Sequence, residues 1–352
     1  MKNRHDEYLK YTKRKIIILF IFFALVLFSM YFALKTGVAE MDFKTILSIL
    51  TKRSDDRALE IVLLNIRLPR IVASVFAGAS LGVSGCIMQN NLKNPLASPS
   101  TIGVTSAAAF GANFGIIVLG GGSFQSGSSD AVYIMSPYIV TFCAFVASVV
   151  AISIVITISR IKSFSPQVII LAGVAISSLF GAGTTFLQYF ADSTHVATAV
   201  FWSFGNLGRA NWKEIILIGI LLLISFIYFM FKSWDYNALI NGDDNAKVLG
   251  VNTHRTRLGG MFFASILISV CVSFLGIISF VGLIAPQISR RIIGTDHRFL
   301  IPSSALLGSL ILLISDTVAR VLFSPIILPV GVITSFLGAP LFLYILMKDY
   351  KN

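Results

Sequence analysis

Charged residues are scarce in this chain of 352 residues: they make up 12% of it, whereas 56% of the residues are hydrophobic. A soluble protein of this length would carry about twice that share of charge. The mean hydropathy is +0.84, and apolar runs of roughly 18 residues or more, long enough to cross a bilayer, recur along the chain. The composition therefore excludes a soluble globular protein. It predicts a polytopic α-helical membrane protein, because a barrel would show alternating strands of about ten residues.

Residues that bind metals, form disulfides or carry out catalysis are also sparse. The three cysteines, Cys86, Cys143 and Cys271, lie within apolar runs without the spacing of metal ligands, and the four histidines are scattered. We therefore expect no metal site, no disulfide and no cofactor. The apolar runs contain no Ser-His-Asp or paired-carboxylate arrangement, which counts against a membrane enzyme. The patterns GxxxxGKS and GxxxxGKT are absent, so the chain is not expected to use ATP by itself.

Basic residues flank the apolar runs instead of forming a block, although the net charge of +12 could by itself suggest nucleic-acid binding. This distribution is typical of orientation by the positive-inside rule and argues against a nucleic-acid partner. With a cytoplasmic N-terminus, 18 of the 28 Lys and Arg residues lie on the cytoplasmic side. The sequence predicts an all-α fold with both termini in the cytoplasm and ten transmembrane helices: 16–34, 71–89, 103–119, 138–158, 166–190, 213–231, 258–276, 280–293, 300–320 and 329–347.

Two parts of this threading depend on further arguments. The run at 16–34 follows Lys13-Arg14-Lys15 and has no small-residue cleavage site after it, so we expect a retained signal anchor instead of a signal peptide. The apolar stretch 258–287 is longer than one span, and both its flanks are basic. Two crossings are therefore predicted, with a turn at 276–280 beside Gly276.

The predicted external side has two long connections. The segment 36–66 is expected to contain a short interfacial helix at 43–50. The segment 120–132 is rich in Gly and Ser and carries no Lys or Arg, which is typical of a flexible connection. Neither is large enough to form a soluble domain, so we treat residues 1–352 as one transmembrane domain.

The segment 67–103 joins an Arg-Leu-Pro-Arg cluster, an apolar run dense in small residues, and a polar Asn-Pro loop. Small residues let membrane helices approach closely, because packing drives helix association in lipid. The pattern therefore predicts that the helix at 71–89 is buried inside the bundle. Its small residues are Gly78, Ala79, Ser80, Gly82, Ser84 and Gly85.

The largest cytoplasmic polar insertion follows the sixth span. Asp243 and Asp244 precede a short apolar pattern that ends at Gly250. The sequence predicts one short helix, a stop at Gly250, and a second short helix toward Arg257. A helix lying along the membrane surface could dock into a groove of a cytosolic partner; an ordinary solvated connector is the alternative.

Charged residues near the outer ends of two spans are a second candidate site. Asp316 and Arg320 lie four positions apart, hence on one helix face, and Arg67 and Arg70 lie on the same predicted side. The three arginines could form a patch that binds carboxylates, but charges at helix ends also serve as simple interfacial anchors. Three residues near the outer end of the fifth span could line a polar path or serve as a polar helix cap: Gln188, Asp192 and His195.

Seven segments together closely resemble the permease family of ABC importers for ferric siderophores, haem and vitamin B12, the FecCD/BtuC type. They cover most of the chain in the order and spacing of that family. The segments are RLPR (67–70), GASLGVSGCIMQNNLKNPLASPSTIGVTSAAAFGA (78–112), VFWSFGNLGRANW (200–212), LGVNTHRTR (249–257), SFVGLIAPQISRRIIGTDHR (279–298), ALLGSLILLISDTVAR (305–320) and LPVGVITSFLGAPLFLYIL (328–346).

The resemblance implies a BtuC-like, type II importer fold in the cell membrane. It implies that two permease subunits, forming a homodimer or a heterodimer, assemble with two cytoplasmic ATP-binding cassette subunits. It also implies an extracytoplasmic substrate-binding protein as a partner. It implies that 241–257 couples to the ATPase, through Asp243, Asp244, Ala246, Leu249, Gly250 and Val251. It implies that the binding protein docks on Arg67, Arg70 and Arg320. It places residues 166–195 along the pathway, with Gly173, Ser177, Gly181, Gly183 and Gln188 on the pathway helix.

The sequence departs from the family pattern at two positions. Gln287 stands where a histidine is usual after Ala-Pro, and Ile327 stands where a glutamate is common before Leu-Pro. The first departure puts a role for an imidazole in doubt, and the second weakens the case for an acidic partner of the nearby arginines.

The resemblance leads us to expect a permease subunit that imports a ferric chelate by alternating access, driven by ATP binding to a partner. Haem and vitamin B12 are alternative cargoes. The rival class is a secondary transporter driven by an ion gradient, which would need carboxylates within the membrane. The predicted spans contain Asp316 and little else that is acidic.

Overall fold

The computed structural model describes residues 2–36, 42–51, 56–121, 136–161, 166–324 and 326–349. Within these ranges the regular structure is helical, apart from an isolated bridge between Phe204 and Ile277. The α-helices are α1 (Lys2–Lys35), α2 (Phe43–Leu50), α3 (Arg57–Ile61), α4 (Leu68–Asn91), α5 (Val104–Ile117), α6 (Pro137–Ile161), α7 (Pro166–Tyr189), α8 (Ser193–Ser203), α9 (Trp212–Phe231), α10 (Ser233–Ile240), α11 (Asp243–Val248), α12 (Thr253–Leu275), α13 (Val281–Ile293), α14 (His297–Val321) and α15 (Val330–Asp349).

Seven helical segments in the described part are long and apolar enough to cross a membrane: Asp6–Lys35, Arg57–Asn91, Pro137–Ile158, Pro166–Tyr189, Trp212–Phe231, Thr253–Leu275 and His297–Val321. The apolar helix α5 has 14 residues and α13 has 13, which is about 20 Å at the rise of an α-helix and shorter than a full span. The all-helical fold is confirmed, and the number of ten crossings stays a prediction.

Helix α4 lies at the centre of the bundle, where it packs against α12, α13 and α14. Its small residues make this possible. A Cβ atom on Gly78 would meet the backbone of Gly308, and one on Gly82 would meet the carbonyl of Ser304. The backbones of α4 and α14 therefore touch, as the run of small residues predicts for a buried membrane helix.

The helix that contains the predicted span 71–89 begins earlier than the span. Its N-cap is Asp56, whose Oδ1 accepts hydrogen bonds from the backbone N–H groups of Ala58 (3.0 Å) and Leu59 (3.1 Å). A π-helical turn at Val62–Arg67 joins α3 to α4. This turn brings the chain past Pro69, which cannot donate a backbone hydrogen bond. The Arg-Leu-Pro-Arg cluster thus lies inside a continuous helix.

The chain breaks between α12 and α13 at 276–280, where the sequence predicts a turn. Gly276 has φ +78° and Phe280 has φ +65°; the left-handed region suits glycine and is uncommon for other residues. Gly282, beyond this break, instead supplies a close contact with Gly85 of α4. Pro286 lies inside α13.

Helix α1 packs along α14. The contacts at the two ends of this pair show which loops lie at the same end of the bundle. At one end, Nη1 of Arg298 donates to the hydroxyl of Tyr8 at 3.1 Å. At the other end, Arg320 contacts the last carbonyls of α1. The loops that carry the cytoplasmic candidate site are therefore at the opposite end of the bundle from the arginine cluster, as the threading predicts.

Candidate functional site

The predicted cytoplasmic insertion folds into two short helices, α10 and α11, followed by a break at Gly250, which has φ +82°. The expected second short helix toward Arg257 is wrong, because residues from Thr253 onward form the first turns of α12. Asn252 caps that helix by accepting a hydrogen bond from the N–H of Arg255 at 3.0 Å. The insertion is thus a compact helical unit joined directly to a bundle helix.

Two apolar side chains of this unit point away from the protein. Val248 is 86% exposed and Leu249 is 68% exposed, although they belong to a polar loop. Ala246 is buried beneath them and Val251 packs against the main core. An exposed apolar tip on a helix anchored from below is typical of a surface that a partner covers.

Asp243 fixes α11 to the rest of the bundle. Its Oδ1 lies 2.9 Å from Nζ of Lys93, in the loop after α4, and 2.7 Å from Nη2 of Arg257 on α12. Arg257 is buried, and its Nη1 donates to the carbonyl of Asn91. Burial by itself would raise the pKa of Asp243, but the hydrogen bond from Lys93 and the charge of Arg257 outweigh it and lower the pKa.

Some of the predicted coupling residues are buried and others are exposed. Asp244 is almost fully exposed and pairs with Lys247 at 3.2 Å, which adds little stability at the surface. Gly250 has no heavy atom near the position of a Cβ, so its backbone conformation and not lack of space favours glycine there. Asp243 and Ala246 anchor the unit, whereas Leu249 and Asp244 face outward.

A second contact, which sequence reasoning missed, holds α10. Nδ2 of Asn237 donates to Oδ1 of Asp296 at 2.9 Å. Asp296 is also the N-cap of α14 and accepts two hydrogen bonds from Nε of Arg298, at 3.1 and 3.2 Å. Burial would raise the pKa of Asp296, but the hydrogen bonds from Arg298 and Asn237 lower it to about 2. The Asp-His-Arg order at the start of α14 signals the cap, but not its partner on α10.

At the opposite end, Asp316 brings two of the three predicted docking arginines together. It is fully buried. Nε and Nη2 of Arg70 both lie 2.8 Å from its Oδ1, and Nε of Arg320 lies 3.1 Å from its Oδ2. One carboxylate thus joins α4 to α14 and holds two guanidinium groups.

The third arginine caps a helix. Nη1 of Arg67 donates to the carbonyl of Leu34 at 2.9 Å, and Arg320 donates to the carbonyls of Ala33 and Thr36 at 3.3–3.4 Å. These carbonyls end α1, where a helix has unpaired acceptors and negative partial charge. Arg67 and Arg70 are buried and Arg320 nearly so, so the predicted patch is directed largely inward.

A cavity of about 830 Å³ lies beside this cluster, and Arg70 contributes to its lining. Most of its charged and polar groups are used within the protein. Arg209 donates to the carbonyls of Phe201 (2.7 Å) and Trp202 (2.9 Å), and Glu214 accepts from the backbone N–H at the start of α9 at 2.8 Å. Aromatic and aliphatic side chains supply much of the remaining wall.

Helix α7, the predicted pathway helix, has two different faces. Gly173 packs against the backbone of Thr101, and Gly183 packs against the ring of Phe110. Gln188 donates from Nε2 to Oδ1 of Asn113 on α5 at 2.9 Å. These three predicted pathway residues therefore contact the chain's own α5 and the turn before it.

The opposite face of α7 is open. A Cβ on Gly181 would meet no heavy atom within 4 Å, whereas Ser177, one turn after Gly173, lies on the packed side beside Gly103. Beyond the helix, Nδ1 of His195 lies 3.8 Å from the exposed Asp192, which precedes α8. The open face also carries large exposed apolar side chains: Leu171, Val174, Leu179, Phe186 and Tyr189.

The sequence model of one family spans nearly the whole of this architecture. It describes the FecCD transport family and matches residues 25–348. The chain belongs to the FecCD transport family. It is therefore a multi-pass membrane permease, a transport subunit of an ABC importer in a family whose members rely on a separate ATPase.

Individual relatives agree with this FecCD assignment. The chain is 49% identical over 99% of both lengths to MJ0087 of Methanocaldococcus jannaschii, which is provisionally named an ABC transporter permease protein. It is 35% identical to the hemin transport system permease protein HmuU of Yersinia pestis, over 90% of this chain and 91% of that one. Permeases named for cobalamin or vitamin B12, from Halobacterium salinarum and Vibrio vulnificus, are 35% and 32% identical.

A solved structure supports the same FecCD fold. The protein resembles the inward-facing structure of a provisionally assigned metal-chelate type ABC transporter, with a TM-score of 0.81 and 30% identity. The match covers 94% of this chain and 99% of the other.

The structure shows the surroundings of Gln287 and Ile327, the two residues that depart from the FecCD pattern. Gln287 donates from Nε2 to the carbonyl of Pro95 at 2.7 Å, and so ties α13 to the loop after α4. An amide can donate this bond as an imidazole N–H would. Ile327 is exposed and lines the cavity of about 830 Å³ beside the arginine cluster. The carboxylate that pairs with Arg70 and Arg320 comes instead from Asp316.

Proposed function

We propose that this chain translocates a ferric chelate across the cytoplasmic membrane, powered by a cytoplasmic ATP-binding cassette subunit and supplied by an extracytoplasmic binding protein. The observation that carries the proposal is the match over 94% of the chain to a transporter of metal-chelate type. Relatives from Bacillus subtilis named for Fe(3+)-citrate and iron(3+)-hydroxamate import, 34% and 32% identical, support it. Haem and vitamin B12 are the alternative cargoes, because permeases named for hemin, cobalamin and vitamin B12 are similarly related.

The ATPase would engage the exposed tip of the cytoplasmic insertion, Val248 and Leu249. Their burial against a partner would remove apolar surface from water and give association its driving force. Force applied to this tip would pass through Asp243, because its two ion pairs connect α11 to the loop after α4 and to α12. The insertion is thus suited to transmit movement from the ATPase to the bundle.

The pathway would lie along the open face of α7, between this chain and a second permease subunit. An apolar face that includes Gly181 can face either lipid or another helix, and small residues favour helix contact. Gly173, Gly183 and Gln188 would support α7 from behind, since they pack against α5 and the turn before it. Gly181 would be nearer the pathway, whereas Ser177, beside Gly103, would belong to the supporting side.

The binding protein would dock at the external end, over Arg67, Arg70 and Arg320. Arg70 is held by Asp316 through two contacts of 2.8 Å. Arg320 bonds to neutral carbonyls besides its bond to Asp316, and Arg67 donates to the carbonyl of Leu34. An acidic side chain would compete more readily with carbonyls than with a carboxylate, so docking should depend on Arg320 more than on Arg70.

The rival reading, a transporter driven by an ion gradient, would require a membrane carboxylate that can bind and release a cation. The predicted spans contain two carboxylates, Asp316 and Glu214. Asp316 is engaged by two arginines, and Glu214 accepts the backbone hydrogen bond that caps α9. Such an arrangement favours a fixed structural charge.

Uptake by cells tests the cargo. Cells with and without this chain, carrying its ATPase and binding protein, would receive labelled ferric siderophores, haem or cobalamin in separate assays. The proposal expects uptake of an iron chelate that requires the chain and stops when Leu249 and Gly250 are both replaced by bulky charged residues. Chain-dependent uptake of cobalamin alone would replace iron as the cargo, and uptake without any ATPase would favour the ion-driven class.

A further inference from the structure

A small cavity lies at the predicted cytoplasmic end, apart from the exposed tip of the insertion. Its volume is about 250 Å³. The end of α4 and the loop after it, the end of α10, and the turn between α13 and α14 form its walls. The residues that matter for its chemistry are Lys93, Arg290, Thr295 and His297.

The lining is positively charged. It includes two cations, Lys93 and Arg290, and no carboxylate. Lys93 is exposed and paired with Asp243, outside the lining. Arg290 is partly buried, and no hydrogen bond or ion pair joins it to any residue in the described ranges. A guanidinium in a concave, partly desolvated place favours an oxyanion, which it can bind through two parallel hydrogen bonds.

His297, which also lines the cavity, carries a buried hydrogen-bond acceptor. The side-chain Oδ1 of Asn237 accepts from the backbone N–H of His297 at 2.7 Å, while its Nδ2 donates to Asp296 at 2.9 Å. This orientation is fixed by the two bonds, so Nδ1 of His297, 3.0 Å from the same Oδ1, must donate. Nε2 is then the acceptor of a neutral imidazole. It is buried without a hydrogen-bond partner in the described part of the chain.

A phosphate group can supply both an oxyanion for Arg290 and a hydrogen-bond donor for Nε2 of His297. A phosphate monoester or inorganic phosphate near neutral pH carries negative oxygens, and in part of its population one P–OH group, because its second ionisation lies near pH 6 to 7. The negative oxygens suit Arg290 and Lys93, and the P–OH can donate to Nε2 of His297. A carboxylate or sulfate at the same pH has no proton to donate.

We propose that this cavity binds a protonated phosphate group, either inorganic phosphate or the phosphomonoester headgroup of a lipid such as phosphatidic acid. Basic pockets between helices on the cytoplasmic side are suited to anionic headgroups. A bound phosphate would join the loop after α4 to the turn between α13 and α14, two segments that also support the cytoplasmic insertion through Lys93 and Asp296.

Thermal melting tests the site and separates the two sources. The permease with its ATPase would be placed in phosphatidylcholine nanodiscs, and the melting temperature measured with phosphate, sulfate or chloride at equal ionic strength. A second set of nanodiscs would contain phosphatidic acid, with phosphatidylglycerol as the phosphodiester control. The proposal expects a rise of several degrees with phosphate or with phosphatidic acid, since a ligand that binds the native state stabilises it. The arm that responds identifies the source.

Matched variants show whether the rise in melting temperature comes from binding in this cavity. Arg290→Gln should abolish it, Arg290→Lys should keep part of it, and Arg291→Gln, a change of the same kind at the exposed neighbouring position, should leave it intact. Equal responses in Arg290→Gln and Arg291→Gln, or no response of the wild type to either source, would overturn the proposal. An equal rise with sulfate would refute the role of the proton. If Arg290→Gln weakened ATPase association but not the phosphate response, the cavity would be a partner contact instead.

Discussion

Arg70 and Asp316 are 246 positions apart in the chain, and their side chains form a buried ion pair at 2.8 Å. The pair joins α4 to α14, the two helices whose backbones touch through Gly78 and Gly308. Arg320 shares the same carboxylate at 3.1 Å. Removing the carboxylate would therefore leave two cations without their partner in a region of low polarity.

Asp316→Ala should be strongly destabilising, by about 3–5 kcal/mol, because breaking a buried pair leaves uncompensated charge. The melting temperature of the purified permease in nanodiscs measures the loss. The double variant Arg70→Met with Asp316→Leu should recover part of it, since it removes two of the three buried charges and leaves Arg320 with the carbonyl of Ala33. A melting temperature of Asp316→Ala equal to that of the wild type would show that water reaches the pair.

Gly82→Leu should destabilise the protein by about 1–3 kcal/mol, by analogy with overpacked soluble cores. The structure gives the reason, because even a Cβ at this position would meet the carbonyl of Ser304. Ala24→Leu is the control: this position on α1 is exposed, so adding the same bulk there should leave the melting temperature nearly unchanged. The prediction fails if both variants melt like the wild type.

Leu249→Glu should abolish ATP-driven uptake while the permease still folds, because Leu249 is mostly exposed and supports no core. Replacing both Leu249 and Gly250 by bulky charged residues should also weaken co-purification of the ATPase. Lys10→Glu, an exposed charge change on α1 at the same end, should alter neither. Normal ATPase association and normal uptake in the double replacement would exclude the insertion as the coupling element.

Arg67→Glu combined with Arg320→Glu should weaken docking of the binding protein more than the corresponding alanine variants, because reversal adds repulsion. Each lost pair is expected to cost about 0.2–1 kcal/mol at an exposed rim and more if desolvated. Affinity at low and high salt checks this, with Arg57→Glu as an exposed external control. If affinity and its salt dependence stay constant while the melting temperature falls, the arginines are helix caps and anchors.

Asp296→Asn should lower the melting temperature near neutral pH and have a smaller effect in acid. The pKa of Asp296 is lowered to about 2, so its ionised form contributes stability above the ordinary carboxyl pKa, and this contribution is lost as the pH falls through about 2. The difference between wild type and variant should thus be constant from about pH 7 to pH 5 and shrink between about pH 4 and pH 2. Asp244→Asn, at an almost fully exposed site, should show little difference at any pH; a similar profile there would contradict the assignment.

Composition and local pattern were sufficient for much of this protein. Scarce charge and long apolar runs determine a helical membrane protein, because each span must satisfy its own backbone in lipid. The small residues of α4 determined that its helix is buried, since such a surface packs well only against another helix. The glycines at 250 and 276 signalled two real breaks, each with a positive φ.

Tertiary structure alone decided which charges meet. No local pattern pairs Arg70 with Asp316, Asp243 with Lys93, or Asn237 with Asp296, because the partners are brought together by helices distant in the chain. For the same reason, the sequence predicted an outward arginine patch, whereas the fold directs these side chains toward Asp316 and the end of α1. It also missed that α3 continues into α4 past Pro69, because the π-helical turn that allows this depends on packing and not on proline's local preference. Sequence determined what each helix can bury; the fold determined which polar groups are buried together.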